Sequence, residues 1–336
     1  MLVDNKLTDI EVQELIKQYP IGVLDSPIDE RDYLYEPTCA TQQELPSSFS
    51  LDYNYPILNQ GQIGSCVAHS IAEMKSYINA VDNTNIYSVG FIYANRKEDD
   101  FSGNGLIPRQ ALSNIVLDGD CLNSDFPINE EYPSILSTLD RYNKEQLFEK
   151  ASKHRSKAFA KLEVEQIKEY LVNQQKPILI TVKVYSSFYQ SRYEKGIVRD
   201  ETYGTYFGSH AMVIIGYDSD TLKILNSWGD FGDNGYIYLN INNPIIKELW
   251  VLEDEKIIKP VKKTYWRVQV SANKLKESAI EDCNKLATYG IDTCPVLVNG
   301  WWKVQCGCFT NEENRDNITK KLEDLGYVVY IEKVEK

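Results

Sequence analysis

The stretch Asn59-Gln60-Gly61-Gln62-Ile63-Gly64-Ser65-Cys66-Val67-Ala68-His69-Ser70 restricts this chain more than any other. Glycines stop just before Cys66, and a helix-competent run through Ile71, Met74 and Ile78 begins there, so a flexible turn feeds directly into a helix. A cysteine at a helix start faces unpaired backbone N–H groups and the positive end of the helix dipole, both of which favour the thiolate. Gln60 lies six positions earlier. A Gly-rich turn can fold back so that its amide and the backbone N–H of Cys66 converge, as two donors for a developing oxyanion.

A thiolate nucleophile needs a base, and the chain has three histidines. His154 stands among Lys153 and Arg155, which oppose a further positive charge. His69 is on the Cys66 helix but lacks an evident acceptor to orient it. His210 opens the apolar run Ala211-Met212-Val213-Ile214-Ile215, a buried strand that can present an imidazole at its end. Past the turn Gly216-Tyr217-Asp218, Asn226 can hold that imidazole through its side-chain carbonyl, and Trp228 can shield the bond from water.

The order Gln60, Cys66, His210, Asn226, with Ser209-His210-Ala211, Gly216-Tyr217 and Asn226-Ser227-Trp228-Gly229 through Gly235-Tyr236, resembles the papain family of cysteine peptidases over roughly Leu45 to Leu252. That resemblance implies an α+β, two-lobed fold, with a helical lobe built on the Cys66 helix, a β-sheet lobe carrying His210 and a cleft between them. It makes Cys66 the nucleophile, His210 the general acid/base, Asn226 its orienter and Gln60 the oxyanion donor. Ser102-Gly103-Asn104-Gly105-Leu106 resembles the family's substrate-facing glycine pair. Gly105 would then pair with the peptide main chain, and Leu106, Ile107, Ala211 and Trp228 would line the substrate site. Ile63 and Val67 depart from the family, which commonly has a disulfide cysteine and an aromatic residue at these positions.

Residues 1–43 read as a lead-in. Thr8-Asp9-Ile10-Glu11 is a capping-box pattern, and Pro20, Pro27 and Pro37 punctuate an extended stretch. It either lies over the cleft as a latch or, as the plainer reading, packs along the side of the catalytic domain at 44–253. A charged linker at 254–263 leads into a second domain at 264–336. There Arg267-Val268-Gln269-Val270 recurs as Lys303-Val304-Gln305-Cys306, and Leu286/Leu322 and Gly290/Gly326 keep the same spacing. Each unit reads strand, helix, Gly turn, strand, giving βαββαβ. With its paired Val-Gln strands this part resembles a SPOR domain, whose family binds peptidoglycan glycan strands. The resemblance implies binding through Gln269, Gln305 and Trp302, with Trp301 adding aromatic surface; the alternative is that the tryptophans fill the core.

Composition narrows the partners. The net charge of −13 rests on residues before Lys262, which argues against nucleic acid. Seven cysteines without Cys-x-x-Cys spacing suggest reduced thiols and no metal site, and no cofactor is called for. No apolar run is long enough to span a membrane, and the first residues do not form a signal peptide. The expectation is a chain made in the cytoplasm, acting on protein or peptide substrates at the bacterial cell wall after lysis or another unconventional release. Two other readings stay open: a phage or prophage lysin that cuts peptidoglycan stem peptides, and an inactive wall-binding or virion component. The oligomeric state is not legible.

Overall fold

The computed structural model describes residues 6–27, 29, 32–36, 45–96, 105–127, 143–253 and 264–335. They fall into two compact units, Met1–Leu24 with Leu34–Ile257 and Asp25–Tyr33 with Ile258–Lys336. The expected linker at 254–263, and residues 102–104 of the string resembling the family's glycine pair, lie outside the described residues.

In the first unit the helix predicted from Cys66 runs Cys66–Ile78 (α2). Eleven of its residues, Cys66 to Ser76, are buried, because Val89–Ala94 (α3), Pro108–Leu117 (α4) and the sheet surround it. Ahead of it come Asp9–Gln18 (α1) and the short strand Ser48–Ser50 (β1). Thr8 closes the capping box predicted for α1: its hydroxyl accepts the Glu11 N–H, and Glu11 accepts the Thr8 N–H at 2.8 Å.

The sheet follows. Lys144–Ser152 (α5), Ala158–Lys161 (β2), Ile167–Gln174 (α6), Ile178–Tyr185 (β3) and Ser186–Tyr189 (α7) precede Tyr206–Asp218 (β4), Thr221–Leu225 (β5), Tyr236–Asn240 (β6) and Ile246–Glu253 (β7). The order is β2-β7-β3-β4-β5-β6, antiparallel throughout, and β1 adds to β4. β4 is the organising strand. Its residues from Ser209 to Tyr217 are buried, as expected of a strand covered on both faces, and His210 sits within it opposite Val182.

The second unit contains Thr264–Asn273 (β8), Lys276–Ala287 (α8), Cys294–Val298 (β9), Trp301–Phe309 (β10), Glu312–Asp324 (α9) and Tyr330–Glu335 (β11), with sheet order β11-β8-β10-β9. Val268, Val270, Val304 and Cys306 face Ala279 and Leu286 of α8 and Leu322 of α9, so both helices share one face of the sheet. Asp29 of the lead-in forms a parallel bridge with Cys308 on β10.

Among the described residues no disulfide is formed, no cluster of side chains has metal-ligand geometry, and no helix is long and apolar enough to cross a membrane.

Candidate active site

Cys66 is the first residue of α2 and is fully buried. Ser65 does not cap the helix with its side chain; its hydroxyl and carbonyl oxygens lie 3.2 and 3.0 Å from His69 Nδ1. His69 is therefore oriented toward its own helix start. Burial pushes the Cys66 thiol up to about 11, against the pull of backbone N–H groups of Ala211, Gly22, Val67 and Cys66 itself. The lowered pKa expected from the helix start is not the state of this structure, because desolvation of the charged form outweighs those donors.

His210 is fully buried, with Nε2 2.8 Å from Asn226 Oδ1. An amide oxygen only accepts, so Nε2 carries the proton of the neutral ring and Nδ1 is the acceptor. His210 Nδ1 has no hydrogen-bond partner, so thiol and imidazole are not joined. Trp228 stacks on the ring at 4.1 Å between centroids and 22° between planes. Burial lowers His210 to about 4, against the raising effect of Asn226, with His69 adding a smaller lowering. Ser227 donates its N–H to Asn226 Oδ1 at 2.8 Å and fixes the amide's rotation.

Gln60 is held by three groups. Ser227 Oγ donates to its Oε1 at 2.8 Å, and its Nε2 donates to Ile63 O at 2.8 Å and to Pro20 O at 3.0 Å. Two of these contacts lock the amide so that its remaining N–H points at a peptide carbonyl, that of the lead-in. Sequence reasoning missed Ser227, whose role depends on a hydroxyl brought 167 positions along the chain to Gln60.

The lead-in runs through this site. Gly22 O accepts from Leu106 N at 2.9 Å, Leu24 N donates to Leu106 O at 2.9 Å, and Val23 N donates to Ser209 O at 3.2 Å. Trp228 Nε1 donates to Pro20 O at 3.1 Å and Tyr189 Oη to Tyr19 O at 2.9 Å. Val23 pairs parallel with Leu106 and antiparallel with Ser209, joining the two sides of the cleft as a short strand. A Cβ on Gly22 would overlap the Gly64 carbonyl, so only glycine fits there. The plainer expectation, packing along the domain's side, does not hold for Tyr19–Leu24. The signal for it was the apolar run Ile21-Gly22-Val23-Leu24 between two prolines.

The main-chain contacts to the lead-in on this side are made by Leu106. Gly105 N–H donates to Tyr93 Oη at 3.0 Å and Gly105 O accepts from Arg96 Nη1 at 3.4 Å, so both its polar groups are already engaged, and the next residue presents its own to the cleft. Leu106 and Ile107 are 5% and 8% exposed, and Ala211 is fully buried on β4 with its N–H toward the thiol.

In the second unit Gln269 and Gln305 stand opposite each other across β8 and β10, 4% and 7% exposed, and Gln269 Nε2 has no hydrogen-bond partner. Trp302, expected at a glycan surface, is instead part of the core beside Val304 and Leu286. Strand alternation exposes Trp301, with Lys274 Nζ 3.7 Å from its ring centroid.

Comparison with known proteins identifies the family and the fold of the first unit. The sequence model described as "Papain family cysteine protease" matches residues 47–250. Among solved structures the chain resembles xylellain, a cysteine protease from Xylella fastidiosa, at 21% identity and a TM-score of 0.63, covering 71% of this chain and 97% of that one. It also resembles proCathepsin B S9 from Trypanosoma congolense (14% identity, TM-score 0.55, 74% and 98% covered) and procathepsin L 3 from Tenebrio molitor (16%, 0.51, 73% and 80%). At these identities the likeness is one of fold. No curated protein sequence matches.

Proposed function

Because this chain belongs to the papain family of cysteine proteases, and so hydrolyses peptide bonds in protein or peptide substrates, we propose that Cys66, His210, Asn226 and Gln60 carry the reaction and that the lead-in keeps it latent. In the open cleft Cys66 Sγ gives its proton to His210 Nδ1 and attacks the scissile carbonyl carbon. The oxyanion is received by Gln60 Nε2 and the Cys66 N–H, and His210 then protonates the leaving amine. Water, deprotonated by the same imidazole, attacks the thioester and frees Cys66. Asn226 keeps the ring in the tautomer this sequence requires.

One observation carries this reading. The Gln60 amide, locked by Ser227 and Ile63, already donates to a peptide carbonyl oxygen, that of Pro20. The lead-in occupies the Gln60 donor, but Gly22 offers no side chain and its strand runs parallel to Leu106.

The test is labelling by a dipeptidyl epoxide probe of the full chain, of Gly22→Ala, and of Gly22→Ala combined with Cys66→Ala or His210→Ala. Slow labelling of wild type, fast labelling of Gly22→Ala and none in the Cys66→Ala combination is the expected pattern, with His210→Ala slowing the reaction severely. Labelling that survives Cys66→Ala removes Cys66 as the nucleophile.

For the second unit we propose peptidoglycan binding and action at the bacterial cell wall. The βαββαβ order and the exposed Trp301 support it. Co-sedimentation with purified sacculi should be lost when residues 264–335 are removed; equal sedimentation without them rules it out.

A further inference from the structure

The lead-in leaves an impression of the cleft on the Trp228 side of the thiol, opposite the Leu106 side. Tyr19 is 5% exposed there. Its ring lies 5.0 Å from Phe231, edge-on, and 5.7 Å from Trp228, while Tyr189 stacks on Trp228 at 5.5 Å and holds the Tyr19 carbonyl. The guanidinium of Arg192 closes the pocket, 4.7 Å from the Tyr19 ring centroid and 5.9 Å from that of Phe231. Arg192 Nη1 is buried and has no hydrogen-bond partner, so this cation is held against rings and not by a carboxylate on that nitrogen. Trp228 also stacks on His210, which puts the pocket one ring away from the imidazole.

We propose that Arg192, with Phe231, Tyr189 and Trp228, forms a subsite for the leaving half of the substrate and selects an aromatic side chain within two residues after the cut. The inference rests on the peptidase reading above. Leu106 and Ser209 supply the main-chain contacts on one side of Cys66, where the acyl half lies. The Trp228 side is left for the half that departs from His210. A flat ring there meets an aromatic edge and a cation over its face, and Arg192 favours it over an aliphatic side chain of equal volume through the ring quadrupole.

The experiment uses quenched peptides carrying Phe, Tyr, Leu, Ala or Glu at the first or second position after the cut, with the full chain bearing Gly22→Ala and the same chain with Arg192→Met added. Aromatic peptides should show kcat/KM about three- to tenfold above Leu. Arg192→Met should bring the two level by lowering kcat/KM for the aromatic peptides. A second arm labels Cys66 in the otherwise unaltered chain: Tyr19→Phe should label as slowly as wild type, and Tyr19→Leu faster. An aromatic preference unchanged by Arg192→Met, a preference for Glu, or equal labelling of Tyr19→Phe and Tyr19→Leu overturns the proposal. Turnover of no peptide, with Cys66 still labelled, overturns the peptidase reading and this inference with it. It is distinct from failure of the pocket alone, in which peptides turn over without preference.

Discussion

At the scale of single residues, the closed site is a neutral one. The thiol is pushed up to about 11 and His210 lowered to about 4, both by burial, so at neutral pH neither charge of a thiolate–imidazolium pair is present. Gly22 keeps it so. Gly22→Ala places a methyl against the Gly64 carbonyl, and overpacking of about 1–3 kcal/mol should raise the labelling rate of Cys66 roughly tenfold or more. A pH dependence follows as well. The closed state holds His210 neutral below its ordinary value of 6.5, so opening takes up protons and acid favours it. Closure is unaffected above pH 6.5 and weakens as pH falls from there toward 4. Hydrogen exchange at the Leu24 and Leu106 amides, corrected for intrinsic rates, should lose protection over that window; constant protection would show that His210 stays buried on opening. Cys66, His210, Asn226 and Gln60 could be put forward from the sequence because each is the chemically apt residue in a short, ordered string. The role of Ser227 could not, because its contact to Gln60 is purely tertiary.

At the scale of elements, α1 is fastened by its first turn. Ser186 Oγ and Thr205 Oγ1 donate to the two oxygens of Asp9 at 2.7 and 2.8 Å, and they hold its carboxyl below the usual range. This contact is present above pH 3.8 and is lost as pH falls through the lowered value, so it does not confuse the His210 window. In the second unit, the adjacent Trp301 and Trp302 are equal in sequence and opposite in role. Trp302→Ala should cost about 3–5 kcal/mol of that unit's stability in urea unfolding, and Trp301→Ala less than about 1. The helix at Cys66 and the strands around His210 could be read from periodicity and β-branched content. β1 could not, since the three residues Ser48–Ser50 are too few to establish a period, and they pair where β4 extends beyond β3.

At the scale of the whole molecule, the lead-in is shared. It pairs with Leu106 and Ser209 at Val23, belongs to the second unit at Asp29, and returns to pair with Lys161 at Leu34. Removal of residues 264–335 deprives Asp29 of its bridge to Cys308 and should speed Cys66 labelling in the remaining chain. An unchanged rate would mean that Tyr19–Leu24 is held by the cleft alone. This sharing was not legible in the sequence, because a single backbone bridge leaves no trace in residue type.

The glycine that lets the lead-in lie against Gly64 has a consequence for the chemistry of storage. Sulfenic acid formation needs an accessible thiolate, and with Gly22 over it Cys66 offers neither access nor charge. The resting chain should therefore survive peroxide that inactivates Gly22→Ala, with mass shifts of one to three oxygens on the Cys66-containing peptide confined to the variant. The same missing methyl that admits the strand would then act as the antioxidant of the nucleophile beneath it.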